Sequence, residues 1–291
     1  MKRIVASLAV AVALFTSACG SNDKGAAKTS TPIPHRIVSL SPTATEMLFA
    51  IGADKQVIAV DDQSNYPTRA PHTKLSSYEP NVEAISAYKP DMVVISGDVK
   101  DLKAQLTALK ITVLVQPAAA TLADSYREID ELGTRTGHVD KAKAVVKSMQ
   151  DRIAALRKEV PTRATPLTYF HELDNTLYSV TSKTFIGNVY SLAGLKNVAD
   201  AADPTGANGG YPQVTAEYLV KADPDVIFLA DTKCCAQNAT TFAARPGFAA
   251  LKAVQAHQVI SLDDDIASRW GPRVVDLFAR IVAALKAIPQ K

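Results

Sequence analysis

The strongest constraint on the fold is an internal repeat of sixteen residues. NVEAISAYKPDMVVIS occupies 81–96, and TAEYLVKADPDVIFLA occupies 215–230. The identical positions are Glu83, Pro90 and Asp91 in the first copy and Glu217, Pro224 and Asp225 in the second. In each copy apolar residues with helical spacing lead to a Pro-Asp turn, and a continuous apolar run typical of a buried parallel strand follows. Coincidence is the alternative, but the repeat favours a duplicated helix-turn-strand unit.

A weaker second pair of segments supports duplication. SPTATEMLFAIGA at 41–53 and SKTFIGNVYSLAGL at 182–195 each begin with a Ser that can cap a helix, and each reaches a Gly near its end. Short apolar runs alternate with helical patterns, which predicts an α/β fold of two similar three-layer lobes with mostly parallel sheets. The predicted strands are 37–40, 57–60, 92–95 and 111–115 in the first half and 168–170, 177–180, 226–230 and 259–262 in the second.

A helical region at 121–164 separates the halves and predicts lobes at 35–120 and 165–291. Within it, 139–160 places apolar residues on one stripe and charges elsewhere, which indicates one long backbone helix joining the lobes. The predicted stripe is Val145, Val146, Met149, Ile153, Ala154 and Leu156.

The N-terminus has the pattern of a signal peptide at 1–19. Lys2 and Arg3 precede the apolar run 4–15, which is shorter than the roughly 20 residues that span a bilayer. Small residues before Cys19 resemble a lipobox, so we expect acylation there, although Thr16 stands where lipoboxes usually carry an aliphatic residue. The alternative is an ordinary secretory signal whose Cys is unmodified.

Residues 20–34 have almost no large apolar side chain, which predicts a flexible tether. Without Lys2 and Arg3 the chain has 30 basic and 29 acidic residues and no basic block, so nucleic acid is not an expected partner. We expect a monomer outside the cytoplasm, lipid-anchored to the cell membrane, or secreted or periplasmic if Cys19 is not acylated.

Signatures of catalysis and of resident metals are missing from the sequence. GxSxG, HExxH, GxGxxG and P-loop patterns do not occur, so we do not expect an enzyme, and a secreted hydrolase is a minor alternative. The five His residues are scattered, which disfavours a zinc or manganese receptor. We expect no metal site or cofactor belonging to the protein itself.

Five motifs follow one another in the order found in a known family. They are HRIVSLSPTATEMLFAIGA, NYP, NVEAISAYKPDMVVI, YPQVTAEYLVKADPDVIFL and RWGPRVVDLFARI, spanning roughly 35–290. The chain resembles the helical-backbone (class III) periplasmic binding proteins, which bind cobalamin, ferric siderophores and haem for ABC importers. The resemblance implies a ligand cleft between two lobes held at a nearly fixed distance. It also implies that Glu83 and Glu217 contact arginines on the two permease subunits.

Three tyrosines in loops after predicted strands are candidate ligand contacts. Tyr66, Tyr78 and Tyr211 offer flat apolar faces suited to a wide chelate, and the first and third precede a Pro, which favours extended backbone. The cobalamin-binding member of the family has cleft aromatics at these positions, with Trp in place of Tyr78 and Tyr211. Phe170 and His171, after a predicted strand, are weaker candidates.

The segment DDDIASRWGPR at 263–273 supplies polar candidates. The resemblance implies that Asp265 and Arg269 reach the ligand edge, and a guanidinium suits anionic oxygens. A salt bridge from Arg269 to one of the neighbouring aspartates is an equal alternative, and Trp270 either lines the cleft or fills the core.

The adjacent Cys234 and Cys235 are each other's only remaining partners once Cys19 carries lipid. A vicinal disulfide is possible but strained, and the spacing does not suit zinc.

Together, these features predict the substrate-binding lipoprotein of an ABC importer that captures a bulky metal chelate, a ferric siderophore or a cobalamin. A haem receptor of the same fold, with His171 and a tyrosine on the iron, is the alternative.

Overall fold

The computed structural model describes residues 32–289. The signal peptide, Cys19 and most of the tether predicted above lie outside these residues. The described chain forms two α/β lobes, each built on its own parallel sheet. The predicted α/β class with two parallel-sheet lobes is therefore confirmed.

The N-terminal lobe contains a five-stranded sheet with the strand order β3-β2-β1-β4-β5. Helix α1 begins after Ser41, whose hydroxyl accepts a hydrogen bond from the backbone N–H of Ala44 and so caps the helix. The strands are β1 Ile37–Leu40, β2 Val57–Asp61, β3 His72–Leu75, β4 Met92–Ile95 and β5 Thr112–Val115, and the helices are α1 Pro42–Ala50, α2 Val82–Ser86 and α3 Leu102–Ala108.

Two packed helices connect the lobes, α4 Leu122–Thr136 and α5 Val139–Glu159. The predicted long helix is α5, which ends one residue earlier than expected. Ala154 of the predicted stripe is exposed. The buried residues of the helix follow Ala142 at intervals of three or four positions, and this spacing includes Ile153 but not Ala154. The buried residues of α5 are Ala142, Val146, Met149 and Ile153.

The C-terminal lobe contains a four-stranded sheet with the order β7-β6-β8-β9. Its last helix packs against α5, so the connecting helix is also part of the core beneath this lobe. The strands are β6 Thr168–Glu172, β7 Lys196–Asn197, β8 Val226–Leu229 and β9 Val259–Ser261, and the helices are α6 Phe185–Ser191, α7 Ala216–Ala222, α8 Ala239–Ala243, α9 Lys252–Gln255, α10 Asp264–Ser268 and α11 Val274–Ala287.

The sequence repeat corresponds to equivalent elements in the two lobes. Strand β4 lies beside β1, and β8 lies beside β6. The carboxylate of Asp91 accepts hydrogen bonds from the backbone N–H groups of His35 (2.8 Å) and Arg36 (3.0 Å), just before β1. Asp225 accepts one from the backbone N–H of Thr168 (2.8 Å), the first residue of β6. The repeated Asp therefore fixes the start of the neighbouring strand in each lobe.

Two strands of the sheets were not predicted from the sequence, and one predicted strand is not part of a sheet. Strands β3 and β7 are edge strands with polar residues, so they lack the continuous apolar run of a central strand. Segment 177–180 instead pairs antiparallel with 210–214, through a single bridge between Tyr178 and Gln213. The capping residue of α6 is Thr184 and not Ser182. Within 32–289, no helix is both long and apolar enough to cross a membrane.

Candidate functional site

A cleft of about 400 Å³ lies between the two lobes. On the N-terminal side its wall is formed where β1, β2 and β4 end and by the loop that carries Ser77 and Tyr78. On the C-terminal side it is formed by α10 and the turn after it, which contribute Asp265, Arg269 and Trp270. Ligands of open parallel sheets bind beyond the carboxyl ends of the strands, which is where this cleft lies.

A buried ion-pair cluster joins the lobes at the cleft. Glu46 of α1 is 3% exposed and accepts hydrogen bonds from Arg269 Nη1 (2.8 Å) and Arg273 Nε (2.9 Å). Arg269 Nη2 also donates to the backbone oxygen of Gln63 in the N-terminal lobe (3.1 Å). A buried carboxylate needs such partners, because removing it from water is costly. The lobes are therefore held together by specific charge-assisted bonds as well as by the connecting helices.

Asp265 is the acidic residue of the cleft wall. Its carboxylate accepts from Arg269 Nη2 (2.8 Å), from Lys233 Nζ (2.6 Å) and, across the lobes, from Asn65 Nδ2 (3.0 Å). Burial opposes ionisation, but the Lys233 bond and the Arg269 charge outweigh it, so the pKa of Asp265 lies below its usual value. Asp265 is therefore charged at neutral pH, and the salt-bridge alternative for Arg269 is the one that the structure contains.

Trp270 forms a fixed part of the same wall. Its indole Nε1 donates to Glu128 Oε2 of α4 at 2.7 Å, and its backbone oxygen accepts from the Ser125 hydroxyl. Burial raises the pKa of Glu128 to about 7, although the Trp270 bond acts in the opposite direction. The ring packs against the main core while lining the cleft, so both roles considered for this residue are present.

The three predicted tyrosines occupy different positions. Tyr78 is 74% exposed and lines the cleft. Tyr66 lies outside the cleft lining, with the Arg273 guanidinium 4.1 Å from the centre of its ring. Tyr211 is also outside the lining and half exposed, and partial burial raises the pKa of its phenol. Only Tyr78 of the three contacts the cleft in this conformation.

The prediction that Phe170 and His171 contact the ligand is wrong. Both are completely buried, because β6 is a central strand whose two faces are covered by core side chains. His171 Nδ1 bonds with the Tyr190 hydroxyl (2.8 Å), and burial lowers the pKa of the imidazole to about 3. Neither side chain reaches the cleft, so the arrangement expected for a haem ligand at His171 is not formed.

Two residues of interest were missed from the sequence. Glu46 is a buried charge within the apolar helical segment TEMLFA. A charged residue among apolar ones is the sequence signal that could have identified it. Tyr178 belongs to the predicted strand 177–180, yet it is 41% exposed, in the pair of antiparallel segments that also carries Tyr211. Exposed aromatic side chains offer flat apolar faces that can stack on flat ligands.

Cys234 and Cys235 are joined by a disulfide in the loop after β8. The carboxylate of Asp264 accepts from the backbone N–H groups of Thr232 (2.8 Å), Lys233 (2.9 Å) and Cys234 (3.0 Å), which fixes this loop against α10. Among residues 32–289, no group of three or more His, Cys, Asp or Glu side chains is arranged to hold a metal ion.

Glu83 and Glu217 occupy equivalent places on the two lobes. Each is the second residue of a short helix, α2 or α7, capped by the side chain of Asn81 or Thr215. Both side chains are exposed, and neither forms an ion pair with another residue of the described chain.

Comparisons with known proteins agree with this architecture. A family model described as periplasmic binding protein matches residues 37–266. An uncharacterised ABC transporter substrate-binding lipoprotein of Bacillus subtilis is 30% identical over 253 residues, which cover 84% of this chain and 77% of that protein. A cobalamin-binding protein of Halobacterium salinarum is 29% identical over 261 residues, which cover 86% and 69%.

Among solved structures, the periplasmic vitamin B12 binding protein of Vibrio cholerae superposes with a TM-score of 0.74 at 27% identity. The superposition covers 88% of this chain and 98% of that one. The family match spans most of the chain and both lobes, and the chain therefore belongs to the periplasmic binding protein family.

Proposed function

We propose that this protein is the extracytoplasmic receptor of an ABC importer and captures a bulky metal chelate, a ferric siderophore or a cobalamin, in the cleft between its lobes. The relatives bearing the names ABC transporter substrate-binding lipoprotein and cobalamin-binding protein support this class of function. The family is one of binding proteins, so the role of the site is to hold a ligand and release it to a permease, without chemical conversion.

One observation carries the proposal: an aromatic-walled cleft that lies between two lobes joined by a buried ion cluster. Tyr78 and Trp270 are at the cleft, and both offer flat apolar faces with few rotamers. Because Glu46 and Arg269 connect the lobes beside these rings, the two walls have a defined separation before ligand arrives. A preformed cleft loses less conformational entropy on binding.

Trp270 provides a direct test because it is the only Trp of the chain. Adding cyanocobalamin or a ferric siderophore to the purified protein should quench its fluorescence, since these chelates absorb in the range where indole emits. Calorimetry on the same samples should give a dissociation constant of about 1 μM or tighter. If neither fluorescence nor heat changes with any chelate, the proposal is wrong.

The control is Trp270→Phe, which keeps an aromatic ring. This variant should lose the fluorescence signal while calorimetry still detects binding, which shows that the signal came from Trp270 and that the ring change leaves binding intact. A quench of equal size with a non-chelate of similar absorbance would identify an optical artefact.

Cys19 is proposed as the site of lipid anchoring. Its lipobox-like surroundings and the similarity to a substrate-binding lipoprotein support this role. Cys19→Ser should move the protein from the membrane fraction to the soluble extracytoplasmic fraction. Unchanged membrane association would contradict the anchor and leave the receptor function standing.

Glu83 and Glu217 are proposed as the docking pair for the permease dimer. Their matched positions, exposure and free carboxylates suit contact with cationic groups on a two-fold symmetric partner. Charges of this kind mainly fix orientation and increase the encounter rate.

A further inference from the structure

Charge is almost absent from the surface of the cleft. Of the residues that line it, only Asp265 and Arg269 carry a formal charge, and they bond to each other at 2.8 Å. The remaining polar side chains of the lining are neutral: the amide of Gln63, the indole of Trp270, and the hydroxyls of Ser41, Thr43, Ser77, Tyr78, Ser96 and Ser268.

Arg269 has little capacity left for an anionic ligand. Nη1 donates to Glu46, and Nη2 donates to both Asp265 and the backbone oxygen of Gln63. The side chain is only 9% exposed. An incoming carboxylate or catecholate would have to displace a protein carboxylate from this guanidinium, and so leave a buried acid without its partner.

The cations around the cleft are also paired. Arg273 bonds to Glu46, and Lys233 lies 2.8 Å from Asp263 and 2.6 Å from Asp265. Beside Tyr78, the side chain of Glu79 forms an ion pair with Lys100. A site for polyanions concentrates unpaired Arg and Lys so that the potential is positive. Here each of these cations is neutralised by an acid.

We propose that the cleft selects metal chelates whose periphery is uncharged, with amide, carbonyl or hydroxyl groups at the edge, and discriminates against chelates that carry carboxylates or catecholates. This inference rests on the proposed function and narrows its ligand. The serine hydroxyls and the Gln63 amide exchange hydrogen bonds with a neutral polar edge, while Tyr78 and Trp270 cover the apolar faces. An added anion meets Asp265 without a free cation to offset it.

The test separates ligand charge from ligand shape with four chelates. Cyanocobalamin and haemin are both built on a flat macrocycle, but only haemin has a carboxylate edge. A neutral ferric trihydroxamate and a ferric tris-catecholate are both compact, but only the catecholate is a polyanion. Dissociation constants are measured by calorimetry with the full mature protein at low and at physiological salt.

For each shape, the uncharged chelate should bind at least about tenfold more tightly than its anionic counterpart. The affinity for the uncharged chelate should depend little on salt. If haemin or the tris-catecholate binds as tightly as its uncharged counterpart, the charge inference is overturned and the receptor function stands. If none of the four binds, the proposed function fails, and this inference fails with it.

A charge variant tests the cause. Asp265→Asn keeps the side-chain volume but removes the acid that neutralises Arg269 and Lys233, so affinity for the tris-catecholate should rise by about tenfold. Asp276→Asn is the matched control, because it makes the same change of net charge at an exposed ion pair with Arg152, outside the cleft lining. Equal effects of the two variants would contradict a local origin.

Discussion

At the scale of single residues, the most unusual group outside the cleft is a buried pair of acids, Glu172 and Asp231. Glu172 receives two hydrogen bonds from Arg245, at 2.8 and 2.6 Å, and burial raises its pKa to about 8 despite that partner. Asp231 is fully buried, its carboxylate has no hydrogen-bond partner apart from the neighbouring Glu172, and burial raises its pKa as well. One Arg cannot neutralise two carboxylates, so the pair holds a proton at neutral pH.

This proton makes folding stability depend on pH. The pKa of Glu172 is raised from 4.5 to about 8 in the folded protein, so between these values the folded state binds a proton that the unfolded state has lost. The free energy of unfolding therefore decreases as pH rises through this range, by up to about 1.4 kcal/mol per pH unit for one proton.

Asp231→Asn should reduce this dependence. The amide removes the neighbouring carboxylate charge and can donate to Glu172, so the pKa of Glu172 should fall, and the variant should gain stability relative to the native protein as pH rises from about 5 to about 8. Urea unfolding at several pH values measures this difference. Glu128, with its pKa near 7, titrates in both proteins and cancels in the comparison. Parallel curves for the two proteins would show that the pair does not hold the proton.

At the scale of elements, helices α4 and α5 approach closely at a small residue. A Cβ atom added to Gly133 would collide with the Cβ of Ala142 and would lie 3.2 Å from the backbone oxygen of His138. Both neighbours belong to the turn and first residues of α5, so they have little freedom to move. Gly133 therefore permits the tight turn between the connecting helices.

Gly133→Ala should destabilise the protein by about 1–3 kcal/mol. Ala normally stabilises a helix interior by about 1 kcal/mol relative to Gly, but overpacking at this contact outweighs that gain. Gly97→Ala is the control, since no atom lies within 4 Å of its added Cβ. Chemical denaturation measures both, and a stabilised Gly133→Ala variant would mean that the helices separate at little cost.

At the scale of the whole molecule, the Glu46 cluster determines how the lobes meet. Glu46→Gln keeps the volume but removes the charge shared by Arg269 and Arg273, so we expect a loss of about 3 kcal/mol in the free energy of unfolding. The exposed pair of Arg152 and Asp276 serves for comparison, and Asp276→Asn should cost less than about 1 kcal/mol. Equal losses would show that the lobe contact depends on packing alone.

The proposed docking pair, Glu83 and Glu217, depends on both lobes, because each lobe supplies one carboxylate. Glu83→Ala combined with Glu217→Ala should leave chelate affinity unchanged and abolish uptake in cells that depend on this receptor, because both carboxylates are exposed and neither belongs to the cleft lining. Glu131→Ala with Glu159→Ala removes the same charge from the connecting helices and should keep uptake. Normal uptake by the first double variant would contradict the docking role.

Sequence reasoning located the central elements because their signals are local. Apolar runs such as Met92–Ile95 and Val226–Leu229 need burial on both faces, and the repeated Asp91 and Asp225 mark equivalent turns. The short edge strands β3 and β7 escaped because an edge strand needs no continuous apolar run. The antiparallel pairing of Tyr178 with Gln213 depends on a partner 35 positions away, which periodicity does not reveal.

The amino-acid sequence by itself determined the class of fold, the repeated helix-turn-strand unit and the connecting helix, since these follow from the periods of apolar residues and from capping. Only the tertiary structure decided which polar residues meet. Arg269 and Glu46 are 223 positions apart, and whether Arg269 faces a ligand or a protein acid depends on how two lobes pack. For the same reason His171, a candidate ligand by sequence, is a core residue. The cleft is nearly neutral because Arg269, Arg273 and Lys233 each pair with an acid.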